Sequence, residues 1–160
     1  MQQQLAQQYG LLPDPSYGAF VQAWLQENAR RQQALANHQV IYGPTQYTEA
    51  NYFNYVFGQT IYDLKQLLAQ RGIIDTSDQV LYPYYLAHQA EFQQPADSAA
   101  NTSLIQPHSN IPLVTPPFEQ IRGEVEQRYV DDQYTILVSK LTNQAHVVIN
   151  NANYDAISVS

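Results

Sequence analysis

The chain has 160 residues, enough for a domain with a hydrophobic core. Only 13% of the residues are charged and the net charge is −7. Because lysine and arginine are so few, a main function in binding nucleic acid or an anionic membrane is disfavoured. The absence of cysteine excludes disulfides, thiolate catalysis and cysteine metal ligands. Glutamine (23 residues) and asparagine (10 residues) take the place of the usual charged side chains.

The first fifteen residues, MQQQLAQQYGLLPDP, predict an extended N-terminal arm (1–15). Apolar residues are sparse there, and Pro13 and Pro15 stop any continuing helix. A short helix over 2–9 is the alternative, because glutamine tolerates helix well. If the arm reaches neighbouring chains, removing residues 1–12 leaves the melting temperature nearly unchanged. The arm residues expected to make such contacts are Gln3, Gln4, Leu5 and Tyr9.

Residues 16–94 predict a helical body, and its first helix starts at Ser16, a favourable N-cap residue. Phe20 and Trp24 share one face of this helix. Further along, the apolar stripe weakens, and the sequence RRQQ is typical of a solvated flank or a contact surface.

Residues 48–71 give the clearest helical pattern in the chain. Thr48 can cap the start of this helix, and Gly72 suits a left-handed C-cap. Apolar side chains recur along it at helical intervals, namely Phe53, Phe57, Ile61, Leu64 and Leu68. We therefore expect this helix to be the spine of the core. Residues 75–94 then predict a turn of helix, a break, and another helix that begins near Pro83.

Residues 95–117 contain five prolines and no periodicity, which predicts an extended, proline-rich strap. The strap can cross the surface of the body, link two subdomains, or reach a neighbouring molecule. The strap residues expected to make contacts are Ile105, Ile111 and Leu113.

Residues 118–160 predict a helix followed by a β-hairpin, packed on the body as one domain. Thr115 and Pro116 suit the start of the helix. β-branched residues dominate after it, and they favour strands over 134–141 and 145–150, with a third over 156–160. The expected fold class is therefore α+β: a mainly helical body of about four helices, a C-terminal β-hairpin or small antiparallel sheet, and an extended N-terminal arm.

No motif for catalysis, metal binding or cofactor binding stands out. The histidines show no ligand spacing, and there is neither a GxSxG sequence nor a glycine-rich phosphate loop. Asp131 and Asp132 form the only acidic pair, and a turn is the simpler interpretation. We therefore predict no catalytic residue, no metal site and no cofactor. A small hydrolase or lyase using Asp131, Asp132 and a distant histidine is the third of three hypotheses.

The thirteen tyrosines are the more informative feature, because tyrosine offers a large apolar area with a polar tip. Amides lose their water at lower free-energy cost than charges do, so a surface of Gln, Asn and Tyr suits coverage by protein. Tyr52, Tyr55 and Tyr62 are the expected contact residues on the main helix.

The leading hypothesis is a non-enzymatic structural subunit of a large multi-copy assembly. A virion component, such as a head–tail connector, a capsid-associated protein or a tail protein, is the analogous kind of molecule. Its partners would be further copies of itself and other structural proteins, without nucleic acid or membrane. No secretory signal is predicted, so the expected location is a virion or a cytoplasmic assembly. The second hypothesis is a soluble adaptor that binds protein through the Tyr-rich helix.

Overall fold

The computed structural model describes residues 1–95 and 113–145. Within them the chain forms five α-helices, a 3-10 turn and a small antiparallel sheet, so the fold is mainly helical and broadly α+β, with five helices rather than about four. The elements are α1 (Gln2–Gln8), α2 (Tyr17–Ala36), α3 (Glu49–Gln70), α4 (Asp78–Ala87), the 3-10 turn (Gln89–Phe92), β1 (Gln94–Pro95), β2 (Leu113–Val114) and α5 (Phe118–Gln144). None of these helices has a stretch apolar and long enough to cross a bilayer.

The predicted starts of α2 and α3 are confirmed, because local capping decides both. The Ser16 hydroxyl accepts the backbone N–H of Ala19 at 3.2 Å, and the Thr48 hydroxyl accepts that of Asn51 at 3.3 Å. The predicted end of α3 is confirmed as well, since Gly72 follows it with a φ of +67°.

Helix α4 is continuous, so the predicted break before Pro83 is wrong. Pro83 lies inside the helix and removes one backbone donor. The loss is tolerated because the proline faces solvent. Leu81 and Tyr85 are buried on the opposite face, four residues apart, and hold the segment helical against α5.

The predicted strand over 134–141 is wrong, because α5 runs through it to Gln144. Four of its apolar side chains fall at helical spacing and pack on the core: Tyr134, Leu137, Val138 and Leu141. The hydroxyl of Thr135 donates to the carbonyl of Asp131, four residues earlier, which satisfies it within the helix. Burial of one helical face therefore overrides the β-propensity of the run.

Two further predictions for residues 118–160 concern the start of the helix and the strands expected after it. The helix begins at Phe118 rather than at Pro116, with Pro117 at the N-cap. The expected strands over 145–150 and 156–160 lie, apart from residue 145, outside the described residues. The sheet that the structure contains is elsewhere in the chain.

The extended N-terminal arm is also wrong, and the alternative, a short helix over 2–9, is confirmed to within one residue: residues 2–8 form α1 and join the core. Leu5 is 6% exposed and Ala6 is fully buried against α3 and α5. Gly10, with a φ of +78°, then reverses the chain. Helix α1 ends at Gln8, before either proline, and Pro13 and Pro15 lie in the connection to α2.

The core consists of two clusters that share α5. The first joins α1, α3 and the middle of α5 through Leu5, Ala6, Leu64, Leu68, Ile74, Val130 and Tyr134. The second joins α4 and the first half of α5 through Leu81, Tyr85, Phe92, Phe118, Ile121 and Val125. Tyr129 packs against both clusters. Helix α3 is therefore a spine of the first cluster only, and α5 connects the two.

Strands β1 and β2 pair with each other at the two ends of the predicted strap. Gln94 pairs with Val114 and Pro95 pairs with Leu113 in antiparallel register. The chain that leaves the body at Pro95 therefore returns beside its point of departure, and α4 packs directly on α5. The central residues 96–112 of the strap, including Ile105 and Ile111, lie outside the described part of the chain.

We expect Leu5→Ala to lower the free energy of unfolding by about 2–5 kcal/mol, because it leaves a cavity between α1, α3 and α5. Gln4→Ala, at the adjacent exposed position, serves as the control and changes it by less than about 0.5 kcal/mol. Urea denaturation of both variants measures the difference. Equal stabilities would show that α1 is not part of the core.

Candidate protein-interaction surface

An apolar groove lies where the first turns of α2 and α3 meet the segment that follows α1. We call it the aromatic groove; its apolar lining includes Leu12, Phe20, Tyr52, Phe53, Val56 and Phe57. Its cavity volume is about 220 Å³, and it continues into a shallower depression of about 510 Å³ beside Tyr17 and Glu49.

The rings of the groove are fixed by contact with one another. The centroid of Phe20 lies 5.7 Å from that of Phe53 in an edge-to-face arrangement, and 5.8 Å from that of Tyr52. Phe53 and Phe57, one helical turn apart, are stacked at 5.2 Å. Such pairs stabilise a defined arrangement, so the groove is preformed rather than a gap between mobile side chains.

The charge lining the aromatic groove is negative. Asp14 and Glu49 are the charged residues among the described residues that line the groove and its depression. The Tyr17 hydroxyl donates to Glu49 Oε1 at 3.0 Å, and this hydrogen bond to a carboxylate raises the pKa of the Tyr17 phenol. Asp14 instead accepts the backbone N–H of Ser16 at 2.8 Å. A ligand at the groove therefore meets apolar rings bordered by carboxylates.

The second exposed feature is the loop that follows α2 and returns along it. We call Val40, Ile41 and Tyr42 the apolar knob. Val40 is 81% exposed and Tyr42 is 86% exposed, the highest values among the large hydrophobic residues of the described chain. Gly43 follows with a φ of +80°, a conformation that glycine adopts without strain.

A buried arginine holds the knob in place. The Arg31 guanidinium donates to the carbonyl oxygens of Tyr42 at 3.0 Å and of Pro44 at 2.6 Å. It also lies over the Tyr47 ring, 4.5 Å from the centroid, and pairs with Glu27 at 2.8 Å. Arg30 first, and Arg31 second, lower the pKa of the Glu27 carboxyl through hydrogen bonds, so that group remains ionised. The loop is therefore fixed to α2 although its apolar side chains face outward.

The backbone of Tyr47 anchors the other end of this loop. The Asn28 side chain donates to the Tyr47 carbonyl at 2.9 Å and accepts the Tyr47 N–H at 2.8 Å. The indole N–H of Trp24 donates to the same carbonyl at 2.9 Å. The second half of α2 thus directs its side-chain hydrogen bonds to the loop. Helix α2 and this loop lie outside the cluster formed by α1, α3 and α5.

The predicted contact residues on α1 and α3 differ in how exposed their side chains are. Tyr55 is 59% exposed and Tyr62 is 53% exposed, and they lie seven residues apart on α3. Tyr52 is half-buried in the aromatic groove, and Gln3 lines the groove at its α1 edge. Gln4 is exposed. Gln3 and Tyr52 therefore belong to the groove, whereas Tyr55 and Tyr62 are exposed on α3 outside its lining.

The remaining predicted contact residues lie elsewhere. Leu5 is buried in the chain's own core, so the expectation that it contacts another chain is wrong. Tyr9 is half-buried, with the Arg71 guanidinium 5.6 Å from its ring centroid. Leu113 is exposed on β2. Sequence reasoning did not identify Arg31 or the knob; the Glu27–Arg31 spacing and the Gly-Pro turn at 43–44 were the available signals.

The acidic pair Asp131–Asp132 lies in the middle of α5 rather than in a turn. The Lys65 ammonium donates to Asp131 Oδ1 at 2.9 Å, and the Tyr84 hydroxyl donates to Asp132 Oδ2 at 2.5 Å. The His88 ring stacks on Tyr84 at 4.2 Å between centroids. Both carboxylates are thus engaged in contacts between helices. No group of three or more possible metal ligands occurs within residues 1–95 and 113–145.

Comparison with models of protein families, with curated proteins and with solved structures finds no match to this chain.

Desolvation, followed by the hydrogen bond to Asp132, raises the pKa of Tyr84 to about 12 from its ordinary value of 10.0. The folded state favours the neutral phenol, so this contribution to stability is complete below pH 10 and is lost as the pH rises toward 12. We expect Asp132→Asn to lower the pKa of Tyr84, and Asp131→Asn to leave it unchanged. NMR titration of the Tyr84 ring signal measures both, and a similar shift in the two variants would contradict this assignment.

We expect Arg31→Met to release the knob, because the carbonyls of Tyr42 and Pro44 lose their donor. Opening of residues 37–47 should become easier by about 3 kcal/mol, while the core of α3 and α5 keeps its protection. Hydrogen exchange followed by mass spectrometry measures both regions. Arg30→Met is the matched control, since that side chain is 60% exposed. Equal loss of protection in both variants would show that Arg31 does not hold the loop.

Proposed function

We propose that this protein is a non-enzymatic structural subunit of a large multi-copy assembly, a virion component such as a connector, capsid-associated or tail protein being the kind of molecule meant. The observation that carries the proposal is the apolar surface of the α2–α3 region, where the knob, Tyr55 and Tyr62 are exposed on a fixed backbone. Exposed apolar side chains that are already ordered favour association, since little conformational entropy is lost when they are covered.

The composition of the chain supports the same function. The surface offers amides and phenols in place of lysine and glutamate, so covering it removes water from few charges. With a net charge of −7, copies still repel one another at long range, which favours an arrangement of defined contacts over random aggregation.

The adaptor hypothesis is the second candidate, favoured by the two exposed tyrosines of α3. Tyr55 stacks on Tyr47 with 5.7 Å between centroids, which leaves one side of its ring free for a partner. A monomer that binds one partner through this face would serve as an adaptor. It differs from the structural subunit in having no affinity for itself.

The hydrolase or lyase hypothesis gains no support from the geometry. Asp131 and Asp132 are paired with Lys65 and Tyr84, and neither lines one of the cavities of the aromatic groove. A general base needs free access to a substrate proton, which these contacts between helices restrict.

We expect the purified chain to form species larger than a monomer in a concentration-dependent manner. Because the proposed contacts are uncharged and the repulsion between copies with a net charge of −7 is screened by salt, association should persist or increase from low to high salt. Size-exclusion chromatography with light scattering measures the mass. A chain that stays monomeric at every concentration would contradict the proposal and would favour the adaptor.

We expect the double variant Tyr55→Ser with Tyr62→Ser to weaken this association, since both side chains are exposed in the isolated chain and lose apolar contact area only when covered. Ile136→Ser is the control, because Ile136 is also exposed but lies on α5, away from the aromatic groove. Light scattering of the three proteins at equal concentration gives the comparison. An equal loss of association in the double variant and in Ile136→Ser would indicate non-specific association.

A further inference from the structure

The apolar knob has the properties of a ligand rather than of a solvated loop. Two of its side chains, Val40 and Tyr42, are the most exposed large hydrophobic residues of the described chain, yet Arg31 fixes the carbonyls on both sides of Gly43. Burying a guanidinium to hold a loop requires nearly complete hydrogen bonding, and Arg31 has it. The knob is therefore presented in one conformation before anything covers it.

The aromatic groove has the properties of a receptor for such a knob. Its cavity of about 220 Å³ exceeds the 150 Å³ or so that admits a benzene ring in an engineered apolar cavity, so it can hold the ring of Tyr42. Its walls are aromatic, and aromatic pairs gain stability from edge-to-face contact. The neighbouring depression of about 510 Å³ leaves open space at one end of the groove, so the groove is accessible to a loop from outside.

The charges of the two surfaces are compatible. The groove is bordered by Asp14 and Glu49. The loop over 37–47 contains no carboxylate and includes His38, and Glu27 on the neighbouring helix is paired with Arg30 and Arg31. Contact between the loop and the groove thus brings neutral groups to an acidic rim and adds no carboxylate of the loop to it.

The knob of a chain cannot fill the groove of the same chain. Phe20 belongs to the groove and Arg31 holds the knob, and these residues are about 16 Å apart along the straight axis of α2. The hydrogen bonds of Arg31 and Asn28 keep the loop at its own end of the helix. The knob and the groove can therefore meet only between two copies.

We propose that the apolar knob of one copy docks into the aromatic groove of a second copy. The contact is heterologous, because it joins different surfaces on the two chains, so its repetition generates a ring if the rotation closes and a filament if it does not. This inference rests on the proposed function, self-association, and specifies the two surfaces that carry it.

The test uses the absence of cysteine, which makes every introduced thiol unique. The variant Val40→Cys places a thiol on the knob, and Ala23→Cys places one at the lining of the groove. The two purified variants are mixed at the concentration where the parent chain associates and are oxidised gently. The control mixture pairs Val40→Cys with Ser139→Cys, an exposed position on α5.

We expect a disulfide-linked heterodimer of the knob and groove variants at least about tenfold more abundant than in the control mixture, because the bond requires Cβ atoms within about 4.5 Å. A chain carrying both Val40→Cys and Ala23→Cys should give linked multimers or closed rings. In addition, Tyr42→Ser should weaken association at least about tenfold, as loss of a central interface ring does, without changing the melting temperature.

Each other outcome overturns the inference in a distinguishable way. If the parent chain associates but the knob and groove variants do not cross-link above the control, the contact is wrong and the proposed function stands. If Val148→Cys cross-links to Ala23→Cys in place of Val40→Cys, residues 146–160 occupy the groove instead. If the parent chain remains monomeric at every concentration, the inference and the proposed function both fail.

Discussion

The unbroken course of α5 is the constraint on which the rest of the structure depends. Its first half closes the cluster with α4, its middle closes the cluster with α1 and α3, and Tyr129 touches both. Lys65 and Tyr84, from two different helices, add polar contacts to adjacent carboxylates on the same helix. With α5 in place, α3 is held by its second half, and its first half is left free to form the aromatic groove with α2.

Prediction from the sequence succeeded where a few neighbouring residues decide the outcome. Ser16, Thr48 and Gly72 set helix ends through hydrogen bonds and φ values that depend on one or two turns of chain. It failed where burial decides. Leu5 and Ala6 are too few to suggest a core helix by themselves, and the β-branched run of α5 favours strand until the packed face of Tyr134, Leu137 and Leu141 is known. A tertiary contact outweighs a propensity of less than about 1 kcal/mol per residue.

The same distinction between local and tertiary determinants applies to the candidate site. Tyr55 and Tyr62 could be chosen from composition and helical spacing, and both are exposed. Arg31 could not, because RRQQ resembles a solvated flank and its role depends on a loop that returns ten or so residues later to supply the carbonyls. The groove likewise needs Leu12, from the segment before α2, to lie against Phe57 of α3. Such sites join distant parts of the chain, so the aromatic content was visible in advance and its arrangement was not.

The pairing of Pro95 with Leu113 has a practical consequence for work on this protein. Residues 95 and 113 lie side by side in the sheet although seventeen residues separate them in the sequence. A break in the backbone between them would therefore leave both new ends at one place on the body. The two fragments would carry complementary strand edges and the two sides of the α4–α5 contact, so this junction is a suitable place to divide the chain for a fragment-complementation assay.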